Sequence, residues 1–422
     1  MTSRPVAFSK THLSERSLLV LLAAVQFTHI MDFMIMMPLG PMLMRQLSIS
    51  AAQFSTLIAA YTMTAGVVGL LVAPFIDRFD RRRVLVVAYA GFIAGTYCCA
   101  TAESVGGLLA ARAVCGAFGG VSNATILAIV GDLVPTQRRG AAMGIIMTSF
   151  SAAAAFGVPF GLFLAQQSRW ETPFFLLVGI AAVVEGLLLV FLPHVRGHLV
   201  NGPPASWKNF VSLLKDENAW RALLLMVLLV FGHFTIIPFL SPHLVFNLKL
   251  PESCLALVYV LGGLLTIVTA PYIGRLSDRL GRVRVFTALV CVAVVVVLFL
   301  THAGPLPIPA TLALSGAFFV FASGRYVPAQ AVLTSAVSSV RRGGFMSLTA
   351  CTRDFCTGLA AIMAGRVVLR TPDALLHVNW LGWLAVSVSL SSLWLIRRVK
   401  AVHEPVPPAN QSGVPMGVTA EG

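Results

Sequence analysis

Six ionisable side chains interrupt long apolar stretches of this sequence: Asp32, Arg112, Glu185, Arg325, Arg353 and Asp354. A charge at the middle of a membrane costs about 2.5–3.5 kcal/mol on insertion scales, so each of them needs a reason to be there. Asp32 lies close to His29 and among several methionines. Because an apolar cavity disfavours the charged form of a carboxyl group, we predict that Asp32 binds a proton from one side and releases it to the other, or that it binds a cationic substrate. The alternative is a structural carboxylate tied to a neighbouring helix.

Arg112 is the natural partner of Asp32. Arginine keeps its charge in proteins, so it can tune a nearby acid but cannot carry the proton itself; a plain packing ion pair is the alternative. Arg353 and Asp354 are adjacent, and consecutive side chains on a helix point about 100° apart, so they need not pair with each other. We expect Asp354 to contact Arg325, or Arg353 or Asp354 to line a central cavity.

The elements that carry these residues are membrane spans. The chain of 422 residues is 57% hydrophobic and 11% charged, whereas soluble proteins carry about 25% charged residues. Its apolar residues form blocks of about 20, the length that crosses roughly 30 Å of hydrocarbon, and such blocks must be helical to satisfy their backbone amides in lipid. We predict an all-α integral membrane protein, embedded in a lipid bilayer, with twelve transmembrane helices at 17–41, 52–76, 84–102, 105–131, 140–166, 173–193, 219–243, 253–275, 284–302, 308–338, 344–366 and 375–396.

The net charge of +14 follows the topology and does not indicate nucleic-acid binding. With the loops numbered alternately from a cytoplasmic N-terminus, the inside segments hold 22 lysines and arginines and the outside segments hold five. This positive-inside bias places both termini in the cytoplasm. The first apolar stretch continues past residue 40 without a small-residue cleavage pattern, so it is predicted to be an uncleaved helix and not a signal peptide.

Two motifs occur twice at nearly the same offset. The sequence APFIDRFDRRR at 73–83 corresponds to GRLSDRLGR at 274–282, with aspartates 201 residues apart, and Arg-Arg-Gly at 138–140 recurs 203 residues later at 341–343. A duplicated multi-helix unit is how many transporters are built. We therefore predict two pseudo-symmetric six-helix halves around a central cavity. The expected divisions are a cytoplasmic tail at 1–16, the halves at 17–193 and 219–397, a cytoplasmic linker at 194–218, and a disordered cytoplasmic tail at 398–422.

With these motifs the chain resembles the major facilitator superfamily over about residues 17 to 397. The pattern Gly-x-Leu-x-Asp-Arg-x-Gly-Arg at 274–282 is that family's most specific mark. The sequence from Leu108 through Arg112 to Gly116 is similar to the family's helix-4 motif, whose arginine is implied to tune a proton-binding acid. Asp32 to Pro38 resembles an element of the bacterial twelve-helix branch, the drug–proton antiporters and arabinose-efflux-like permeases.

Some positions depart from the family pattern. Ala73 and Asp80 stand in the first loop motif where the family has glycine. The sequence Gly-Val-Pro-Phe-Gly at 157–161 is a worn form of the antiporter motif in helix 5, without its Gly-Pro pair and terminal Gly-Gly. These departures weaken the case for antiport specifically, but not the case for transport.

The resemblance also implies a gating latch at the cytoplasmic face. Asp77 would cap the start of helix 11, and Arg81 would bridge to Asp132 at the end of helix 4. The latch would hold the two halves in the outward-open state and break as the inside opens; simple loop anchoring is the alternative. Its members are Asp77, Arg78, Arg81 and Asp132, with a weaker mirror-related set at Gly274, Asp278, Arg279 and Arg282.

Two further groups of residues are marked by side-chain size: large side chains that could line a cavity, and small residues that could permit helix packing. Methionine and ring side chains suit bulky amphipathic substrates, although core or lipid-facing positions explain them equally well; the cavity candidates are His29, Met34, Phe150, Phe231 and His233. Small residues four apart permit close helix packing, with a bending hinge as the alternative; these positions are Gly116, Gly120, Gly157, Pro159 and Gly161.

The sequence has no phosphate-binding Gly-Lys-Ser/Thr loop, no His/Cys cluster with metal spacing and no Gly-x-Ser-x-Gly elbow. We therefore expect no cofactor, no metal and no enzyme activity, with the proton gradient as the driving force.

The prediction is a monomeric secondary active transporter that exports a small organic molecule, drug-like, sugar or metabolite, by proton antiport. Short loops without a targeting extension favour a bacterial inner membrane. The alternatives are a symporter, a facilitator or a lipid-moving protein, an integral-membrane enzyme with a metal pair at Asp77 and Asp80, and a non-transporting sensor.

Overall fold

The structure is a computed structural model, which describes residues 14–76, 78–135, 138–196 and 212–402. Within these ranges, eleven helices are long and apolar enough to cross a membrane. A further helix, Ser339–Val367, has 29 residues and carries five charged ones. These segments coincide with the twelve predicted blocks and are called spans 1 to 12. The chain is an all-α membrane protein, as the sequence predicts.

Spans 1 to 6 make up the N-terminal half. Their helices are Glu15–Ile35 and Gly40–Gln46 in span 1, Ala51–Ile76 in span 2, Arg81–Ala100 in span 3, Val105–Leu133 in span 4, Arg139–Ala152 and Val158–Gln167 in span 5, and Thr172–Phe191 in span 6.

Spans 7 to 12 make up the C-terminal half. Their helices are Glu217–Phe234 and Ile237–Phe246 in span 7, Leu255–Leu280 in span 8, Arg282–His302 in span 9, Ile308–Phe318 and Tyr326–Ser335 in span 10, Ser339–Val367 in span 11, and Val378–Ile396 in span 12. Two short strands, β1 (Leu369–Arg370) and β2 (Leu375–Leu376), form an antiparallel hairpin between spans 11 and 12. We call the hairpin end of the bundle the outer end and the opposite end the inner end, because the positive-inside bias predicts that the opposite end is cytoplasmic.

Several helices begin where the sequence supplies a capping side chain. Ser14 accepts a hydrogen bond from the amide of Ser17, and Ser104 accepts one from the amide of Gly107. Asp216 accepts from the amides of two residues in the first turn of span 7. Such side chains satisfy amides that have no partner within the helix, which explains why these span starts lie close to the predicted ones.

In the described chain, spans 1, 5, 7 and 10 each consist of two helices. Span 1 breaks at residues 36–39, where Pro38 has no amide hydrogen to donate. Spans 5 and 10 are instead interrupted by single π-helical turns, at Ala153–Gly157 and Phe319–Ser323. Such turns are frequent at functional sites. Here they widen the helix locally near the middle of each span.

The two halves pack against each other through spans 2 and 11 and through spans 5 and 8. A methyl group added at Gly365 would come within 1.8 Å of Ser55 Oγ, and one added at Gly263 would come within 2.6 Å of Ala155 Cα. Small residues therefore let helices of the two halves approach closely along these lines.

The stretch after span 12 is held against the bundle. The amide of Lys400 donates to Asn218 Oδ1 at 2.8 Å, and the amide of Val402 donates to the carbonyl of Ser335 at 2.8 Å. The prediction of a disordered tail is therefore corrected for residues 398–402. The rest of that predicted tail, most of the predicted linker and most of the N-terminal tail lie outside the described residues.

Candidate functional site

A buried ion pair joins spans 1 and 4. Arg112 Nη1 donates to Asp32 Oδ2 at 2.6 Å and to the main-chain oxygen of Asp32 at 3.3 Å. Neither side chain has any exposed surface. Two charges taken out of water are stable only with close pairing and good geometry, so this short contact accounts for how both residues are accommodated. The pairing anticipated from the sequence is present.

Two side chains from neighbouring spans complete this site. Thr96 Oγ1 of span 3 donates to Asp32 Oδ1 at 3.4 Å. The ring of Tyr61, from span 2, lies 4.6 Å from the guanidinium carbon of Arg112 in a cation–π contact. Arg112 Nε and Nη2 have no hydrogen-bond partner among the described residues. The sequence analysis identified neither Thr96 nor Tyr61, because no spacing along the chain relates them to Asp32.

His29 lies one helical turn before Asp32 but faces into the N-terminal half. Its ring centroid is 3.9 Å from that of Phe92 and 5.5 Å from that of Tyr89, both on span 3. The side chain is 4% exposed, and neither ring nitrogen has a partner among the described residues. Its assignment to a central cavity remains a prediction. Tyr89 in turn shares a 2.9 Å hydrogen bond with Thr28 of span 1.

The charged residues of spans 10 and 11 pair differently from the expectation. Arg353 Nε donates to Asp354 Oδ1 at 2.9 Å, so the two adjacent residues do pair with each other. Arg325 contacts Ser389 on span 12 instead of Asp354, with Nη1 donating to Ser389 Oγ at 2.6 Å. The expected contact between Asp354 and Arg325 is therefore wrong. Rotation of the long Arg353 side chain overcomes the 100° between the two Cβ directions.

The remaining cavity candidates have different surroundings. Met34 and Phe231 are half-buried, and Phe150 is exposed. His233 is buried, and its ring stacks on Phe318 with centroids 5.7 Å apart. Their assignment to a substrate cavity remains a prediction.

At the inner end, Arg81 forms the predicted contact with Asp132. Arg81 Nε lies 2.5 Å from Asp132 Oδ2, at the start of span 3 and the end of span 4. Both residues belong to the N-terminal half, so this pair by itself does not join the halves. The part of the proposed latch that would reach span 11 depends on Asp77, which lies outside the described residues.

The C-terminal half repeats this contact with different chemistry. Arg282, 201 residues after Arg81, donates through Nη1 to Ser335 Oγ at 3.3 Å and to the carbonyl of Ala331 at 3.0 Å. Ser335 is 203 residues after Asp132, so a hydroxyl replaces the carboxylate. The duplication seen in the sequence is therefore also a duplication of a tertiary contact.

The side chains of the other latch candidates form no ion pair with another described residue. Arg78 is exposed and lies over the ring of Phe75, 5.5 Å from its centroid. Asp278 and Arg279 are exposed. A methyl group added at Gly274 would meet Val327 at an ordinary 3.8 Å. Within the described residues, Arg282 is thus the member of the mirror-related set whose side chain forms hydrogen bonds to another span.

Asp80 joins two segments at the inner end, although the sequence analysis considered it only as a departure from the family's glycine and as half of a possible metal pair with Asp77. Its carboxylate accepts from the amides of Arg82 and Val195 at 3.0 and 3.1 Å, and it contacts His194 Nδ1 at 2.5 Å and Arg196 Nε at 3.0 Å. Partial burial acts to raise the pKa of Asp80, but these four hydrogen bonds outweigh it and hold the pKa below its usual value. Asp80 therefore ties the start of span 3 to the segment after span 6. Its position directly before an apolar run was the available signal.

The glycines of spans 4 and 5 lie at close helix contacts. A methyl group at Gly116 would come within 2.0 Å of the Tyr61 carbonyl oxygen, and one at Gly120 within 2.5 Å of the Ala65 carbonyl oxygen. In span 5, methyl groups at Gly157 and Gly161 would meet the end of Met31 at 2.5 and 2.7 Å. This geometry supports the packing interpretation. Pro159 is buried in the first turn after the π-helical turn of span 5, which leaves the hinge interpretation as a prediction there.

Polar contacts between described residues join the two halves at the outer end. Arg45 Nη1 lies 2.5 Å from Glu252 Oε1, and Gln166 Nε2 donates to the carbonyl of Glu252 at 2.6 Å. Arg370 donates to the carbonyls of Met44 and Ile49, the latter at 3.0 Å. The sequence analysis counted these arginines only as outside charges. The structure thus shows the outer end held together.

The described residues contain no group of three or more His, Cys, Asp or Glu side chains placed to hold a metal ion. The seven cysteines are free; Cys98 and Cys291 are exposed, and Cys99, Cys115 and Cys356 are buried.

Comparisons with known proteins agree with the fold. The model of the Major Facilitator Superfamily matches residues 22–364 and 223–417. The uncharacterized MFS-type transporter YtbD of Bacillus subtilis is 25% identical over 365 residues, which cover 82% of this chain and 86% of that protein. The vacuolar membrane amino acid uptake transporter fnx2 of Schizosaccharomyces pombe is 33% identical over 147 residues, but this match spans only 25% of its length. The crystal structure of a D-xylose–proton symporter has a TM-score of 0.71 at 15% identity and covers 92% of this chain and 98% of that chain.

Proposed function

This chain belongs to the Major Facilitator Superfamily, and from its buried charges we propose that it exports a small organic molecule by proton antiport with alternating access. Its relatives and structural neighbours are transporters and not enzymes, so the protein is a membrane transporter of a small-molecule substrate. The coupling ion, the direction and the substrate class, whether drug-like, sugar or metabolite, belong to the proposal.

The observation that carries the proposal is the buried pair of Asp32 and Arg112, with a 2.6 Å contact and no exposed surface on either side chain. A carboxylate in this place is the group whose charge a proton can cancel, whereas Arg112 stays charged. Protonation of Asp32 would convert the ion pair into a weaker contact between a neutral carboxyl group and the charged guanidinium of Arg112. That change would loosen spans 1 and 4, both of which belong to the N-terminal half.

In the proposed cycle, Asp32 takes a proton from the outside when the outer end is open and releases it to the inside after the halves have moved. The contacts of Arg45 and Arg370 at the outer end would part in the first step. The latch of Arg81 and Asp132, together with Asp77, would act at the inner end. Arg353 and Asp354 are a second candidate pair for proton or substrate binding, since their side chains are partly exposed.

A different mode of transport is the second candidate, and one observation favours it. The antiporter motif in span 5 is incomplete, because its Gly-Pro pair and terminal Gly-Gly are missing. Its glycines at 157 and 161 allow close packing against Met31. A proton symporter, a facilitator or a lipid-moving protein would need no intact form of this motif. We further propose that the protein acts as a monomer, because the halves of one chain contact each other directly. The positive-inside bias supports cytoplasmic termini, and the short loops favour a bacterial inner membrane.

Inverted membrane vesicles test the proposal. Vesicles are energised to an acidic lumen, a pH-sensitive dye follows the lumen, and cationic drugs, neutral antibiotics, sugars and lysolipids are added in turn. Wild type is compared with Asp32→Asn. Asp373→Asn, a matched loss of an exposed carboxylate in the outer hairpin, is the control.

Proton efflux that a compound triggers in wild type and in Asp373→Asn, but not in Asp32→Asn, would support antiport and assign the proton to Asp32. If labelled compounds cross the membrane while no compound moves protons, antiport is wrong and a facilitator is favoured.

A further inference from the structure

The charges inside the spans are not balanced between the two halves. Asp32 pairs with Arg112, and Arg353 pairs with Asp354. Arg325 forms no ion pair within the described parts of the chain, although it is only 2% exposed. A buried charge without a partner is expensive, and in a membrane protein it marks a site. The C-terminal half therefore holds a permanent positive charge that no carboxylate of the described residues neutralises.

The surroundings of Arg325 leave hydrogen-bonding capacity open. Its Nη1 donates to Ser389 Oγ at 2.6 Å, but Nε has no partner among the described residues. The Nδ1 atom of the buried His233 is also without one in that part of the chain. Spans 7 and 10, which carry His233 and Arg325, lie side by side here. A methyl group added at Gly232, the residue before His233, would lie 3.1 Å from Arg325 Nη2.

The position of Arg325 suits a substrate. It lies ten residues from the inner end of span 10, about 15 Å at 1.5 Å per residue, which is near the middle of a hydrocarbon core of about 30 Å. It directly follows the interruption of span 10, between the π-helical turn and Tyr326–Ser335. π-helical turns are frequent at functional sites.

The fold does not require an arginine here. The repeat offset of 203 residues places Ser122 of span 4 at the position of Arg325. Ser122 is wholly buried and satisfies its hydroxyl on the carbonyl of Phe118 at 2.9 Å. The equivalent place in the N-terminal half is thus filled by a small self-satisfied side chain.

Aromatic rings connect this place to the boundary between the halves. His233 stacks on Phe318 and meets the edges of Tyr326 and Phe234, with ring centroids 5.4–5.7 Å apart. Phe234 lies 6.3 Å from Phe33 of the N-terminal half. A planar apolar body that parted Phe33 from Phe234 would find ring faces on the path to Arg325.

We propose that Arg325 binds the anionic group of the transported molecule, and that the substrate is an organic anion, such as a carboxylate, with an aromatic or planar apolar body. This inference rests on the proposed transport function, of which it names the substrate class. The proton at Asp32 and the anion at Arg325 would then occupy different halves.

Matched acid and amide probes test this assignment in the purified full-length protein in detergent. The pairs are benzoate and benzamide, 2-naphthoate and 2-naphthamide, and indole-3-acetate and indole-3-acetamide. Binding is followed by the ligand-dependent rise in the unfolding temperature and converted to a Kd. A charge-assisted hydrogen bond predicts that wild type binds at least one acid about tenfold more tightly than its amide.

Four variants separate a binding role from a structural clamp on span 12. Arg325→Gln should abolish the preference for the acid, and Arg325→Lys should keep part of it. Ser389→Ala removes the observed hydrogen bond of Arg325 but keeps the charge, so the acid should still be preferred. Arg284→Gln, an equal loss of charge at an exposed position, should behave as wild type.

The assignment is overturned if no acid binds more tightly than its amide in wild type, or if Ser389→Ala loses the preference as fully as Arg325→Gln. If Arg325→Gln does not fold, the wild-type comparison and Arg325→Lys decide the result. The assay measures binding without a proton gradient. The same acids and amides are also added to the energised vesicles. If an acid that binds selectively moves no protons there, the antiport proposal alone is contradicted. If only neutral compounds move protons, the anion assignment alone is contradicted.

Discussion

The carboxyl group of Asp32 and the guanidinium of Arg112 are joined at 2.6 Å in a place where neither side chain has exposed surface. We expect each single neutralisation, Asp32→Asn or Arg112→Gln, to lower the free energy of unfolding by about 3–5 kcal/mol, because it leaves one buried charge unpaired. The double variant should recover most of that loss, since it leaves no charge. Chemical unfolding in detergent measures all three.

The same double variant separates stability from coupling. It should fold well and yet fail to move protons in the vesicle assay. A double variant no more stable than the less stable single variant would contradict the buried-charge explanation.

Arg282 and Ser335 repeat the contact of Arg81 and Asp132 with a weaker acceptor. Ser335→Asp should therefore create an ion pair in the C-terminal half, with a gain of up to about 1 kcal/mol because the site is exposed. The gain should disappear in an Arg282→Gln background and shrink at high salt. Thermal unfolding of the four proteins of this cycle measures it, and an equal gain with and without Arg282 would argue against the repeated contact.

Two glycines of span 4 differ in what surrounds them. Gly116→Ala should destabilise the protein strongly, because its methyl group would lie 2.0 Å from a main-chain oxygen of span 2. Gly131→Ala is the control on the same helix, since nothing lies within 4 Å of its added methyl group. Alanine favours a helix over glycine by roughly 0.5–1 kcal/mol, so the control should be neutral or more stable. Equal unfolding temperatures for the two variants would exclude tight packing at Gly116.

Asp80 should make stability depend on acidity. Its folded-state pKa lies below the ordinary value of 3.8, so its ionised form stabilises the fold at pH values above 3.8, and this contribution is lost as the pH falls below 3.8 through the folded pKa. Asp80→Asn should therefore unfold at a lower temperature than wild type at pH 7. The difference should shrink as the pH is lowered through 4 and below. A difference that stays constant down to pH 3 would show that the charge of Asp80 is unimportant.

The outer contacts should control how long the outer end stays closed. Phe239 is buried against Phe54 of the other half, so a cysteine at position 239 reports opening through its reaction with a membrane-impermeant maleimide. Arg370→Ala, which removes two hydrogen bonds to main-chain oxygens, should speed this labelling several-fold. Arg366→Ala, at an exposed position four residues earlier in the last turn of span 11, should not. Unchanged labelling in Arg370→Ala would show that these bonds do not hold the halves together.

Much of the architecture could be predicted because a membrane makes length and hydropathy decisive. Apolar blocks of about 20 residues defined all twelve spans, and capping residues such as Ser104 and Asp216 lie beside their observed starts. The interruptions in spans 5 and 10 could not be predicted from apolar length, because a π-helical turn differs from an α-helix only in its hydrogen-bond register. Ala153–Gly157 and Phe319–Ser323 have no local sequence signal that distinguishes them from continuous helix.

The sequence by itself determined that this protein is a duplicated membrane transporter with ionisable groups inside its spans, since composition, charge bias and repeated motifs are properties of the chain. Only the tertiary structure decided which of those groups neutralise each other. It pairs Asp32 with Arg112 and Arg353 with Asp354, and it leaves Arg325 on a serine. The pair of Asp32 and Arg112 depends on side chains from different spans meeting at 2.6 Å, whereas Arg353 and Asp354 pair along one helix. No spacing along the chain records the distance between spans, because it is set by how closely small residues such as Gly116 let the helices approach.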